Sequence, residues 1–298
     1  MTRLTTADFP PQVLKLFDRY VHGQITRRGF LQSASKYTAG VVGAELMLSQ
    51  LAPNFAQAQQ VPATDPRIRT SKQNYPSPQG HGTVSGLLAQ PAQAKGPLPV
   101  VLVVHENRGL NPHIEDIARR LAVEGFIAFA PDILASVGGY PGDEDKARTM
   151  FAQIDQVKAK ADFVAAATAL KSVPNGNGKV GVVGFCYGGA IANDLATKLP
   201  DLAAAVPFYG GQPTPEDTVR IKAPLQLHYA GDDERVNAGW PKYEEALKAS
   251  KIKYEAHVYP GVQHGFNNDT TPRFDAAAAQ LAWKRTLAFF NQHLRTTS

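Results

Sequence analysis

From about residue 83 onward, short apolar runs alternate with longer stretches of helical spacing. "TVSGLLA" (83–89) reads as an edge strand. "LPVVLVVH" (98–105) is an almost unbroken β-branched run, the pattern of a strand buried on both faces of a sheet. "NPHIEDIARRLAVEG" then carries Ile114, Ile117, Ala118 and Leu121 at helical spacing, with Gly125 where a helix C-terminal glycine belongs. "FIAFAPDIL", "KVGVVGF", "LAAAVPFYG", "APLQLHYAG" and "KYEAHVYP" read as further strands. Helical patterns separate them: Asp143 to Lys171, "GAIANDLATKL", "PKYEEALKAS" and the long closing "RFDAAAAQLAWKRTLAFFNQHL". This alternation predicts an α/β fold with a mostly parallel central sheet and helices on both faces.

The N-terminal region breaks the pattern. Residues 1–58 contain "TRRGFLQ", with Arg27 and Arg28 ahead of a weakly apolar stretch from Phe30 to Leu51. Ala56-Gln57-Ala58 offers a small-x-small cleavage site, so the region resembles a twin-arginine export signal. On that reading the chain meets the export machinery and acts in the periplasm. Lys36 and Glu45 interrupt the apolar stretch, however, and an amphipathic helix runs through Phe9 to Val21. The alternative is a retained helical extension on a cytoplasmic protein. Residues 59–82, rich in Pro, Gln, Ser and Thr, read as a linker or arm. The catalytic domain is expected at 83–298.

Composition narrows the partners. The 298-residue chain carries a formal net charge of +5 from scattered basic residues, with no run that suggests a nucleic-acid surface. No stretch approaches a stable membrane span. One cysteine excludes an internal disulfide and a Cys-rich zinc site, and no close His/Asp/Glu spacing resembles a metal ligand set. No cofactor is expected; the partner is a small molecule.

In a parallel sheet, functional residues collect at the C-terminal ends of the strands. Four polar loops fall there: "HENRGL" (105–110), "GFCYGG" (184–189), "AGDDERV" (230–236) and "PGVQHGF" (260–266). In "GFCYGG", Gly184 and Gly188 flank Cys186 in the spacing of a sharp strand-to-helix turn. Such a turn aims helix N–H groups at the sulfur, which favours thiolate and supplies oxyanion donors. Alone, the stretch also suits a buried structural cysteine. His264 is a candidate base and Asp233 a candidate orienting acid, with Asp232 equally open at this point. The order nucleophile, acid, histidine is that of the α/β-hydrolase arrangement.

Together with "HENRGL" and "APDIL", these motifs resemble the dienelactone hydrolase (carboxymethylenebutenolidase-like) family over roughly residues 80–295. The resemblance implies an α/β-hydrolase fold and an ester or lactone hydrolase with a Cys186–His264–Asp233 triad working through an acyl-enzyme. It selects Asp233, three residues before Val236, over Asp232. It implies that Glu106 contacts the thiol and helps to form the thiolate, and that the backbone N–H groups of Asn107 and Tyr187 form the oxyanion hole. The family arginine four residues after the catalytic histidine, which binds a substrate carboxylate, is Asn268 here, with Arg273 nearby; a second family arginine, ahead of the nucleophile strand, has Arg148 as its counterpart, or Arg108 serves instead. The alternative function is a thiol-based redox sensor or a non-catalytic small-molecule-binding protein on the same fold. His105, Trp240 and Trp283 are expected to be structural.

Overall fold

The computed structural model describes residues 3–295. Eight strands form one sheet: β1 (Ile68–Ser77), β2 (Gly82–Pro91), β3 (Leu98–Val104), β4 (Ile127–Pro131), β5 (Gly176–Phe185), β6 (Ala204–Phe208), β7 (Leu225–Ala230) and β8 (Tyr254–Tyr259). Their order across the sheet is β1-β2-β4-β3-β5-β6-β7-β8. The β1–β2 and β2–β4 pairs are antiparallel and all the others parallel.

The apolar runs form strands because alternate side chains feed two separate cores. In β3, Val100, Leu102 and Val104 join the core on one face, while Val101 and Val103 join the other. Helices cover both faces, as the alternating pattern predicts. Helix Pro112–Val123 begins with the Asn111 side chain accepting from the Ile114 N–H, at 3.2 Å.

Two expectations need correction. Residues 68–77, read as part of a linker, form β1, which pairs with β2 along its whole length; β2 is therefore not the edge. The sequence "IRTSKQNYPS" hides this because an edge strand is largely solvated: only Ile68, Tyr75 and Ser77 are buried, and Thr70 is half-buried. The single helix expected from Asp143 to Lys171 is two, Glu144–Phe151 and Gln156–Leu170, because Asp155 caps a new start by accepting from the N–H groups of Val157 and Lys158.

Residues ahead of β1 are folded. Helices α1 (Pro11–Val21), α2 (Arg27–Ala34) and α3 (Gly40–Leu51) enclose a small core of their own that includes Phe17, Tyr20, Phe30 and Leu51. Arg27 pairs with Glu45 at 3.1 Å and Asp145 at 3.4 Å. Among the described residues, no helix is long and apolar enough to cross a membrane.

Candidate active site

The sheet itself decides where chemistry can occur. From β3 the chain runs outward to β4, and from β5 it runs the other way to β6, so the strand order reverses between β3 and β5. A crevice opens at the carboxyl ends of strands at such a point. Glu106 and Asn107 follow β3, and Cys186 follows β5, on either side of it. Asp233 and His264 follow β7 and β8.

Cys186 occupies a strained position, φ 55° and ψ −110°, between β5 and helix Tyr187–Lys198. The flanking glycines are required by contact. A Cβ on Gly184 would lie 1.9 Å from the Gly188 carbonyl oxygen, and one on Gly188 would lie 2.2 Å from that of Val104. The turn is therefore tighter than any side chain permits. The first N–H groups of the helix have no intrahelical acceptor, so that of Tyr187 is available to an anion beside the sulfur. The Tyr187 ring packs on Phe151, with centroids 4.8 Å apart.

His264 Nδ1 lies 2.5 Å from Asp233 Oδ2. Asp233 is buried, whereas the adjacent Asp232 is exposed. The other Asp233 oxygen accepts from the Val236 N–H at 3.2 Å, so the carboxylate is held from two directions. His264 Nε2 is buried and has no hydrogen-bond partner. The Tyr209 ring, at positive φ, packs against the imidazole with centroids 4.9 Å apart. Burial disfavours charge on His264, but the facing sulfur and Asp233 raise its pKa overall.

A third group at the sulfur escaped the sequence reading. His22, just past α1, places Nε2 3.5 Å from Cys186 Sγ. Burial pushes the Cys186 thiol up, but His264 and His22 more than offset this and lower its pKa to about 5. For His22, burial works against the charge, while Cys186 and Asp18 raise its pKa to about 10. The signal in the sequence was the amphipathic Phe9–Val21 helix with Asp18 and His22 four residues apart on one face. Sγ and one nitrogen of each histidine lie within 4.8 Å of one another. The Arg235 guanidinium, 3.1 Å from His22 Nε2 and 3.3 Å from His264 Nδ1, opposes a cation there.

Other expected residues are placed differently. The Glu106 carboxylate, expected on the thiol, accepts from Asn268 Nδ2 at 2.8 Å, and the thiol's neighbours are the two histidines. The Asn268 oxygen is engaged by Thr270, so this side chain ties loops together and is not free for substrate. Arg108 lines the pocket but donates to the Asn107 and Val21 carbonyl oxygens, at 2.9 and 3.2 Å. Arg148 is committed to Tyr20: it donates to the carbonyl at 2.8 Å and stacks 4.0 Å over the ring. Arg273 lines the pocket, paired with Asp18 at 3.3 Å. His105, Trp240 and Trp283 are packed in the interior or against it, as expected. The pocket over Cys186 holds about 450 Å³, in the range of small-molecule sites.

Residues 84–294 match the family model described as "Dienelactone hydrolase family", and residues 1–39 match one described as "YqhI-like". A "Putative carboxymethylenebutenolidase" of Escherichia coli K12 is 36% identical over 226 residues, which span 69% of this chain and 81% of that protein. The crystal structure of a dienelactone hydrolase-like promiscuous phosphotriesterase from metagenomic libraries is 26% identical with a TM-score of 0.65, covering 77% of this chain and all of that one. Dienelactone hydrolase from Anabaena variabilis, 22% identical with a TM-score of 0.60 over 77% of this chain and 100% of that one, shares the fold.

Proposed function

Because the chain belongs to the dienelactone hydrolase family, and is thus a hydrolase of esters or lactones, we propose that it cleaves them through a cysteine thiolate and an acyl-enzyme. The observation that carries this reading is the Asp233–His264 pair beside Cys186. Asp233 holds Nδ1, which leaves the His264 Nε2 lone pair unpartnered next to a nucleophile on a sharp turn. The Sγ proton passes to His264 Nε2, the thiolate attacks the acyl carbon, and the developing oxyanion accepts hydrogen bonds from the Asn107 and Tyr187 N–H groups. The leaving oxygen takes a proton from the His264 imidazolium, and a thioester remains. Water then attacks the thioester as His264 Nε2 takes its proton, and the C–S bond breaks to regenerate the sulfur nucleophile.

The substrate is a small ester or lactone, in keeping with the size of the pocket. With Asn268 tied to Glu106, recognition of a substrate carboxylate falls to Arg273 or Arg108, both at the pocket wall. Cys186→Ala should abolish hydrolysis of small activated esters while leaving the melting temperature unchanged. Intact-mass measurement with a slow ester should show one acyl adduct on the wild-type chain and none on the variant. Full activity in Cys186→Ala would overturn the mechanism.

A further inference from the structure

We propose that His22, supplied by the N-terminal segment, is a second histidine of the nucleophile, which holds Cys186 as a thiolate, and that Asp18 is its positioning residue. The inference rests on the thiol mechanism above and extends it.

The geometry is a second His–Asp pair converging on one sulfur. His22 Nε2 faces Sγ at 3.5 Å. Its other nitrogen, Nδ1, lies 2.7 Å from the Asp18 carbonyl oxygen and 3.3 Å from Asp18 Oδ1. Arg273 holds that same carboxylate oxygen at 3.3 Å. The two imidazoles meet edge to face, with centroids 4.8 Å apart. The segment bearing His22 is fastened where its position matters. Asn107 Nδ2 donates to the Val21 carbonyl oxygen at 2.8 Å, and Arg148 clasps Tyr20. Tyr20 also donates to Asp145.

The chemistry gains a second cation at the sulfur. His264 Nε2 takes the Sγ proton, gives it to the leaving oxygen in acylation and takes one from water in deacylation, so its part is unchanged; His22, protonated on Nε2, faces the thiolate throughout, and no bond to it changes. Charged groups from several elements face the histidine pair, Arg108 at the pocket wall among them. Asp18 and Arg273 lie behind His22, Asp233 lies behind His264, Arg235 approaches both rings from the solvent side, and Glu106 lines the same pocket. The guanidinium groups favour the thiolate, as His22 does; Arg235 works against the charge on His22 itself, and Asp18 and the thiolate work for it.

The test is the rate of alkylation of Cys186 by iodoacetamide as a function of pH, in the full chain, for wild type, H22Q and D18N. Cys186 is the only cysteine, so intact mass reports it alone. The wild-type inflection is expected near pH 5, following the lowered thiol. Losing an opposite charge at this distance should move the H22Q inflection up by about 1–3 units. D18N should move it the same way by less. An H22Q inflection equal to wild type, with unchanged near-UV circular dichroism, would overturn the proposal. If H22Q does not fold, D18N decides: a shift supports the proposal and no shift sinks it. Alkylation needs no ester, so the two readings fail separately. An unmoved inflection with inactive Cys186→Ala leaves the thiol hydrolase standing without His22, whereas an active Cys186→Ala removes the mechanism itself.

Discussion

At the scale of single residues, the site is governed by which groups share the sulfur's surroundings. The lowered thiol and the raised His22 set a window in pH. Cys186 is depressed to about 5, so the thiolate persists above that value and is lost as pH falls through it. His22 is raised to about 10, so its charge persists below that value and is lost as pH rises through it. Hydrolytic kcat/KM should therefore hold on a broad plateau and fall on the acid side near pH 5. A pH–rate profile with an acid limb above neutrality would contradict this. In the proposed mechanism Asp233 acts one step further back. Asp233→Asn would let His264 adopt the wrong tautomer, so kcat should fall by on the order of 10²–10⁴ with little change in KM. Steady-state kinetics of that variant would check it, and a loss confined to KM would count against the assigned role.

At the scale of elements, the turn between β5 and the following helix is the part least tolerant of change. At Gly184 a methyl group would meet backbone, which cannot swing aside as a side chain could. Gly184→Ala should cost about 1–3 kcal/mol or more through overpacking and should misplace Cys186. Gly211→Ala is the matched control, because its Cβ would meet only the Ala190 Cβ at 3.8 Å. Thermal melts of the two variants should separate clearly, and equal melting would show that the turn has slack. β5 itself was legible in the sequence because its apolar run is buried on both faces. β1 was not, because an edge strand with most residues in water carries no apolar period to read.

At the scale of the whole molecule, the N-terminal segment and the hydrolase domain meet over the mouth of the site. Phe17, Tyr20 and His22 line the same pocket as Cys186, Arg108 and Arg273. An export signal cut after Ala58 would take His22 and Asp18 away with it. If His22 serves the thiolate, active protein isolated from its host should still contain the peptide that carries Asp18 and His22, as peptide mass mapping would show. A mass beginning after residue 58, in a preparation with full hydrolytic activity, would mean that catalysis does not need the segment.

The alternating α/β order and the sharp turn at Cys186 were legible in the sequence alone. So was the chain order Cys186, Asp233, His264. These are local properties, written in apolar period and in short loops that directly follow strands. Asp233 was separated from Asp232 by resemblance, and burial of the Asp233 carboxylate against His264 agrees. Contacts between residues far apart in the chain had to come from the folded molecule. Asn268 reaches Glu106 across 162 positions, and His22 reaches Cys186 across 164. The amphipathic face of α1 was visible from Phe9 to Val21, but an apolar face states only that it must be covered, not by what. Its landing place was set by the pocket rim, where Asn107, Arg108, Arg148 and Arg273 find partners on one short helix and bring an imidazole to the sulfur.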